Sequence, residues 1–278
     1  MKINEQVHMI RKEFHVTPEV KRYVNIYLIV GRHCYIVDSG VAGSEVLIEE
    51  YLKSIDRKMT DIKGLFLTHS HPDHAGAAAE IKRKSMCEIY APCQEVSWIE
   101  DIQKQFNERP IPNFFKLLSE SVKVDRPLTD DEEIILEEGI KIQTLSTPGH
   151  SHGSMSYILN DEFIFTGDAV PLVNDLPIFV DYNETVKSLD KIQGLFQIQY
   201  YCPAWDEVRK KEDFAVILEN SRAMLLKLKS AVLQVESESP AISDAEKTNE
   251  ILKRSDMLMY AGNPLVIKSI EACKRGWE

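Results

Sequence analysis

Six consecutive residues of this 278-residue chain, His69-Ser70-His71-Pro72-Asp73-His74, bring together three imidazoles and a carboxylate. Neutral imidazole nitrogens and carboxylate oxygens are ligands that Zn²⁺, Fe and Mn accept. The apolar run Leu65-Phe66-Leu67 ends at Thr68, so a buried strand stops and its C-terminal loop presents the ligands. Alternation along an extended segment puts His69 and His71 on one side. Asp73 and His74 turn back where an alanine-rich helix is expected from about Ala75, a start that Asp73 can cap and Pro72 stiffens. That arrangement suits two adjacent metal positions. A lone histidine is usually a surface or core residue, but three of the chain's eight within six positions of a strand–turn–helix context read as ligands.

Two later loops extend the pattern. Thr147-Pro148-Gly149-His150 puts an imidazole in a tight turn at a strand end, where a ligand belongs. Thr166-Gly167-Asp168-Ala169 delivers a carboxylate whose two oxygens can reach one cation each. With Val37-Asp38-Ser39-Gly40 upstream, these motifs, in this order over roughly residues 20 to 206, resemble the metallo-β-lactamase superfamily of metal-dependent hydrolases. The resemblance implies an α/β fold, a four-layer αββα sandwich of two mixed sheets flanked by helices. It implies a first metal site of His69, His71 and His150, and a second of Asp73 and His74, with Asp168 bridging. Asp38 is then a hydrogen-bonding support for the metal loop rather than a ligand. Three neutral imidazoles leave one position open for the nucleophile. The metal lowers the pKa of a bound water towards ~7, and two ions about 3.5–4 Å apart can share the resulting hydroxide while polarising a carbonyl or phosphoryl oxygen. Asp73 and Asp168 thereby join the catalytic set.

One expected ligand is missing. The family usually adds a final histidine in a turn after the last core strand, where this chain has Cys202-Pro203-Ala204-Trp205-Asp206. Trp205 takes that place, and no histidine follows His152. Three readings stay open. Asp206 ligates in its stead, making an oxygen-richer second site suited to Fe or Mn; His152 turns towards it, or serves from a second layer or faces solvent; or the second site is weak and the enzyme mononuclear. Asp206 is the preferred reading. Two zinc ions per chain are expected, the second site atypical, with Fe or Mn as alternatives. Tyr182 follows the Asp168 loop where related lactone hydrolases keep a tyrosine near the substrate carbonyl, as an oxyanion donor or simply as packing.

Composition bounds the rest. A net charge of −11 argues against a nucleic-acid-binding surface, which needs clustered Lys and Arg. Five scattered cysteines without a CxxC pair suit reduced thiols in a cytoplasmic protein. The start, MKINEQVHMIRKEF, has no apolar core of a signal peptide, and no run approaches the ~18 apolar residues of a membrane span. The expected partner is a small-molecule substrate, without nucleic acid or membrane, and with a homodimer open.

The elements that must position these groups follow from periodicity. Strands are expected over residues 7–16, 22–30 and 33–37, and an amphipathic helix over 43–57 carries Ile48, Tyr51, Leu52 and Ile55 on one stripe. The metal strand, the helix to Lys84 and a short strand at 87–90 alternate as parallel β-α-β units do. Hairpins are expected over 130–145, turning at Glu138-Gly139, and over 154–166, turning at Asn160-Asp161. A loop to Asp181, a helix over 185–196 and a strand over 198–202 complete residues 1–210, the expected metal hydrolase domain. Residues 93–126 break the rhythm with helical patches interrupted by Pro110-Ile111-Pro112; they are peripheral packing or a lid, in which Arg109, Phe114 and Phe115 would meet substrate. Residues 211–278 read as a C-terminal helical extension with Leu225, Leu228 and Val232 on one stripe, a break over 237–240 and a last helix over 266–273. It loosely resembles the C-terminal domain of glyoxalase II-like thioesterases.

The expected function is a hydrolase that uses a metal-bound hydroxide to cleave an ester, thioester or lactone carbonyl. The alternatives are a small-molecule phosphodiesterase, and a metal-binding sensor or partner protein without turnover.

Overall fold

The computed structural model describes residues 1–18, 20–173, 175–239 and 241–275. The chain divides into two compact units. One comprises Met1–Ser146, Gly153–Gly167 and Cys202–Val208; the other comprises Thr147–His152, Asp168–Tyr201 and Arg209–Glu278.

The first unit opens with β1 (Val7–His15) antiparallel to β2 (Lys21–Val30), which pairs antiparallel with β3 (Cys34–Val37). Helix α1 (Ser44–Ser54) then carries the chain across to β4 (Ile62–Phe66), parallel to β3, because a parallel pair needs a crossover. A one-turn helix α2 (Pro72–Ala75) and α3 (Ala78–Ser85) lead to β5 (Glu88–Pro92), parallel to β4. Three short helices, α4 (Val96–Ile99), α5 (Ile102–Glu108) and α6 (Phe114–Leu117), precede β6 (Arg126–Leu128), parallel to β5. The first sheet is therefore mixed, its six strands in sequence order. β7 (Glu133–Glu137), β8 (Ile140–Ser146), β9 (Met155–Leu159) and β10 (Phe163–Gly167) form an antiparallel meander. The second sheet is completed by β11 (Tyr200–Pro203) and β12 (Arg209–Lys210).

Val24 to Ile29 of β2 are all buried, so the strand has no solvent face: it lies between two apolar layers. On one side the sheets meet through Tyr27 and Phe165, 5.1 Å between ring centres, and Phe66 edge-on to Tyr157 at 5.4 Å. The Tyr157 hydroxyl, buried in that seam, donates to Leu67 O at 2.7 Å and so avoids the cost of an unpaired polar group. On the other side Ile48 and Leu52 of α1 and Ile81 of α3 pack with Ile26, Leu28, Ile36 and Leu65. Each such side chain contributes roughly 1.5–3 kcal/mol by leaving water.

The second unit holds α7 (Tyr182–Gln193), α8 (Lys211–Glu238), α9 (Asp244–Arg254) and α10 (Pro264–Lys274). Phe214, Leu218, Ser221, Leu225, Leu228, Val232 and Val235 recur at three- and four-residue steps along α8, making the buried stripe on which α7, α9 and α10 pack. Pro240, in the expected break, lies outside the described residues, but α8 stops beside it with Ser239 as its C-cap. Among the described residues no helix is long and apolar enough to cross a membrane.

Three elements differ from the sequence expectation. The helix after the metal loop does not start at Ala75: α2 begins at Pro72 with His71 as N-cap, and α3 begins separately at Ala78. Pro72 sits in the first turn, where its missing N–H costs nothing, and Asp73 falls inside the turn rather than capping it. β6 lies between the helical patches and the hairpin, where no strand was expected; it is an edge strand, where Pro127 forfeits no ladder bond. Helix α7 starts at Tyr182, three residues early, because Asp181 caps it by accepting from Glu184 N at 2.9 Å.

Candidate metal centre

His69, His71 and His74 follow β4 and are 1%, 4% and 0% exposed; imidazoles this buried need partners for both nitrogens. Asp38, just past β3, sets the tautomers of two of them. It adopts a left-handed backbone (φ 58°), which an aspartate tolerates better than most residues, and its amide donates to Phe66 O at 2.9 Å. Its carboxylate accepts Thr68 N at 2.8 Å and lies 2.9 Å from the Thr68 hydroxyl and 2.8 Å from His74 Nδ1. A carboxylate only accepts, so His74 carries its proton on Nδ1 and presents Nε2, which is 3.4 Å from Asp73 Oδ2. The single Thr68 hydroxyl proton goes to Asp38. Its oxygen, 3.0 Å from His69 Nδ1, therefore accepts the proton there and leaves the His69 lone pair on Nε2. That nitrogen is 2.9 Å from His71 Nδ1. Gly167 packs against this support: a Cβ there would sit 2.5 Å from Thr68 Oγ1, and its φ of +52° is one glycine adopts without strain.

His150 is set in the same way. Its Nδ1 is 2.8 Å from Ile178 O, which can only accept, so Nε2 holds the lone pair, 3.3 Å from Asp168 Oδ2. The turn that carries it depends on Gly149 (φ +131°), where a Cβ would meet the Thr185 backbone at 2.6 Å.

Candidate ligand atoms fall in two groups. In the first unit they are those of His69, His71 and His74; in the second, those of His150 and Asp168, whose Nε2 and Oδ2 lie 3.3 Å apart. Buried imidazoles, of which His69, His74 and His150 have fixed tautomers, fit a divalent ion of zinc type, and the carboxylate suits a second position. Neither group, among the described residues, includes Asp73 or Asp206. Asp73 stays adjacent through His74. The carbonyl of Asp206 accepts from Asn25 Nδ2 at 2.7 Å, and its neighbour Trp205 is anchored on β1 and β2, so the expectation that Asp206 replaces the absent histidine gains no support from the geometry. His152 is exposed.

The other expected site residues are not among these candidate ligands. Tyr182 opens α7, its ring 6.3 Å from that of Phe179 and 5.1 Å from Lys229 Nζ. Burial pushes its hydroxyl pKa above the ordinary value. Arg109 caps the C-terminus of α5. Phe114 and Phe115 cluster with Phe106 at 5.4 and 4.9 Å, and Phe114 is fully enclosed there. Phe114 packs in that cluster, and Phe115 is the exposed member of the pair.

Glu95 and Gln105 went unnoticed in the sequence. The buried Glu95 carboxylate accepts the amide and hydroxyl of Ser70, the former at 3.1 Å, and the Gly153 amide at 2.8 Å. Gln105 Nε2 donates to Ser70 O at 2.8 Å. Ser70 stands between His69 and His71 and points away from them, so these bonds hold the loop from its back. The alternation of that segment was the available signal that Ser70 required partners of its own.

A mixed first sheet, an antiparallel meander and imidazoles gathered at strand ends define a metal-binding hydrolase. Residues 20–195 match the family model described as metallo-beta-lactamase superfamily, and the chain belongs to that superfamily. It is similar to a probable metallo-hydrolase of Methanocaldococcus jannaschii, 27% identical over 69% of this chain and 91% of that protein. It is also similar to a hydroxyacylglutathione hydrolase of Nitrobacter winogradskyi, 24% identical over 77% of this chain and 78% of that one. A metallo-beta-lactamase family protein of Thermus thermophilus shares the fold, with a TM-score of 0.70 at 17% identity over 98% of this chain and 94% of that chain.

Proposed function

We propose that this chain hydrolyses the acyl–sulfur bond of small thioesters, with zinc as its resident metal and two ions per chain. The observation that carries the metal chemistry is the set of buried imidazoles whose outward nitrogens are fixed by Asp38, Thr68 and Ile178 O. His69, His71 and His150 would hold one ion; Asp73, His74 and Asp168 would hold the second. A bound divalent ion supplies Lewis acidity and acidifies water towards neutral pH.

The chain's own groups do the rest. Asp73 and Asp168 keep 18% and 11% of their side-chain surface accessible, so each has lone pairs able to take the proton of an attacking water. Tyr182, its hydroxyl proton held by burial, donates to the oxygen that gains charge as water adds to the acyl carbon. The carbon–sulfur bond then breaks, the thiol leaves with one proton, and the acid remains. Ester and lactone carbonyls follow the same sequence with an alcohol leaving.

Thioesters are favoured over these by the similarity to a hydroxyacylglutathione hydrolase, which extends over 77% of this chain. The test is a panel of S-acyl thiols, aryl esters, lactones and small phosphodiesters, run with protein of measured zinc content. Highest kcat/KM on a thioester supports the reading. Silence on every carbonyl substrate, or preference for a phosphodiester, overturns it.

A further inference from the structure

We propose that Ser269, on the C-terminal helix α10, is a positioning residue for the metal-binding nitrogen of His150; this rests on reading His150 as a ligand. Ser269 is fully buried, and its hydroxyl donates to Pro177 O at 2.7 Å while accepting the Phe179 amide at 3.2 Å. A serine inside a helix ordinarily turns its hydroxyl back to its own preceding turn, yet here Leu265 O is the more distant acceptor at 3.5 Å. The hydroxyl's one proton is spent outside the helix. The two atoms it binds flank Ile178, whose carbonyl takes the Nδ1 proton of His150 at 2.8 Å.

That geometry makes a clamp. None of the described residues of 168–181 belongs to a helix or strand, so nothing intrinsic directs the Ile178 carbonyl. On the far side, Gly149 O accepts the amides of Val180 at 2.7 Å and Asp181 at 3.2 Å, tying the loop to the turn that carries His150. Ser269 supplies the two bonds on the near side. Without its hydroxyl, Pro177 O and the Phe179 amide lose their partner, Ile178 O is free to turn, and the Nδ1 tautomer of His150 loses the acceptor that holds it. Partners of a ligating imidazole's second nitrogen typically change metal affinity about 10–100-fold. The C-terminal helices thus contribute to metal binding without supplying a ligand.

The test uses the full chain with Ser269→Ala, Ser269→Cys, Ser269→Thr, His150→Ala and, as a control, Ser255→Ala, whose buried hydroxyl serves only its own helix. Zn²⁺ affinity is measured by chelator competition, and the His150 tautomer by ¹⁵N NMR on metal-free protein. Ser269→Ala is expected to weaken Zn²⁺ binding about tenfold or more and to erase the Nδ1–H preference of His150, with Ser269→Cys intermediate. Ser269→Thr, which keeps the hydroxyl, should recover both, and Ser255→Ala should match the parent. Parent-like affinity and tautomer in Ser269→Ala and Ser269→Cys would overturn the clamp. Should His150→Ala bind Zn²⁺ as tightly as the parent, the ligand reading fails instead, and the NMR tautomer still decides the clamp.

Discussion

The Arg22 guanidinium lies 4.4 Å from the ring centre of Trp205, stacked on the indole that occupies the place of the family's last histidine. Tyr23 donates its hydroxyl to Trp205 O at 2.7 Å, and Phe14 meets the indole edge-on at 6.2 Å. Trp205 also packs on the cluster of Phe14, Val24, Val41, Leu117 and Ala204. The side chain is committed to holding β1 and β2, not to metal. Trp205→Ala is therefore expected to cost about 2 kcal/mol, less than for a fully buried tryptophan but including the cation–π contact, with metal per chain unchanged. Urea unfolding and elemental analysis check the two halves; lowered metal at parent stability would refute this account.

Asp38 holds Thr68 and His74 together, and through them fixes two imidazoles. Asp38→Ala leaves the Thr68 amide and His74 Nδ1–H without their acceptor, so Zn²⁺ affinity should fall about 10–100-fold even where the chain still folds. Chelator competition at matched circular dichroism is the measurement. Affinity within twofold of the parent would show that Asp38 serves the fold alone.

What the sequence disclosed and what it hid have a common physical reason. His69, His71, Asp73, His74, His150 and Asp168 stand directly after strands, so their motifs are local and could be read in order. The strands themselves were legible because burial forces periodic apolar residues. Glu95 reaches Ser70 across 25 residues, Gln105 reaches it across 35, and Ser269 reaches Pro177 across 92; no local pattern marks such partners. The fate of Trp205 was equally hidden, because its anchors Phe14, Arg22 and Tyr23 lie at the other end of the chain. An aromatic residue in a helical patch, such as Phe114, carries the same signal whether it packs or binds.

Tyr182 packs through its ring, and the proposed function adds a donor role for its hydroxyl. Its ring contacts Phe179 and Lys229, and burial holds its proton above the ordinary tyrosine range. Tyr182→Phe keeps the ring and removes only the hydroxyl. Loss of an oxyanion donor should lower kcat on the order of 10²-fold with little change in KM. Steady-state kinetics on the best thioester decides it, and unchanged turnover would leave only the packing role.

Alkaline stability tests the core itself. Burial pushes the Cys34 thiol up to about 11, the Cys273 thiol up to about 12 and the Tyr35 hydroxyl up to about 12, from ordinary values of 9.0 for the thiols and 10.0 for tyrosine. Cys202 is displaced in the same direction. Above pH 9 the unfolded chain therefore releases protons that the folded chain retains, so the folded state binds more protons and stability must fall as pH rises. The contribution is complete below pH 9 and is lost as pH passes through 11 to 12. Tm should hold nearly level from pH 7 to 8.5 and then drop continuously, and Cys34→Ala should flatten part of that drop between pH 9 and 11. Calorimetry across this range, in reducing buffer, provides the check. A parent Tm that stays constant from pH 9 to 11 would mean these groups reach solvent in the folded chain.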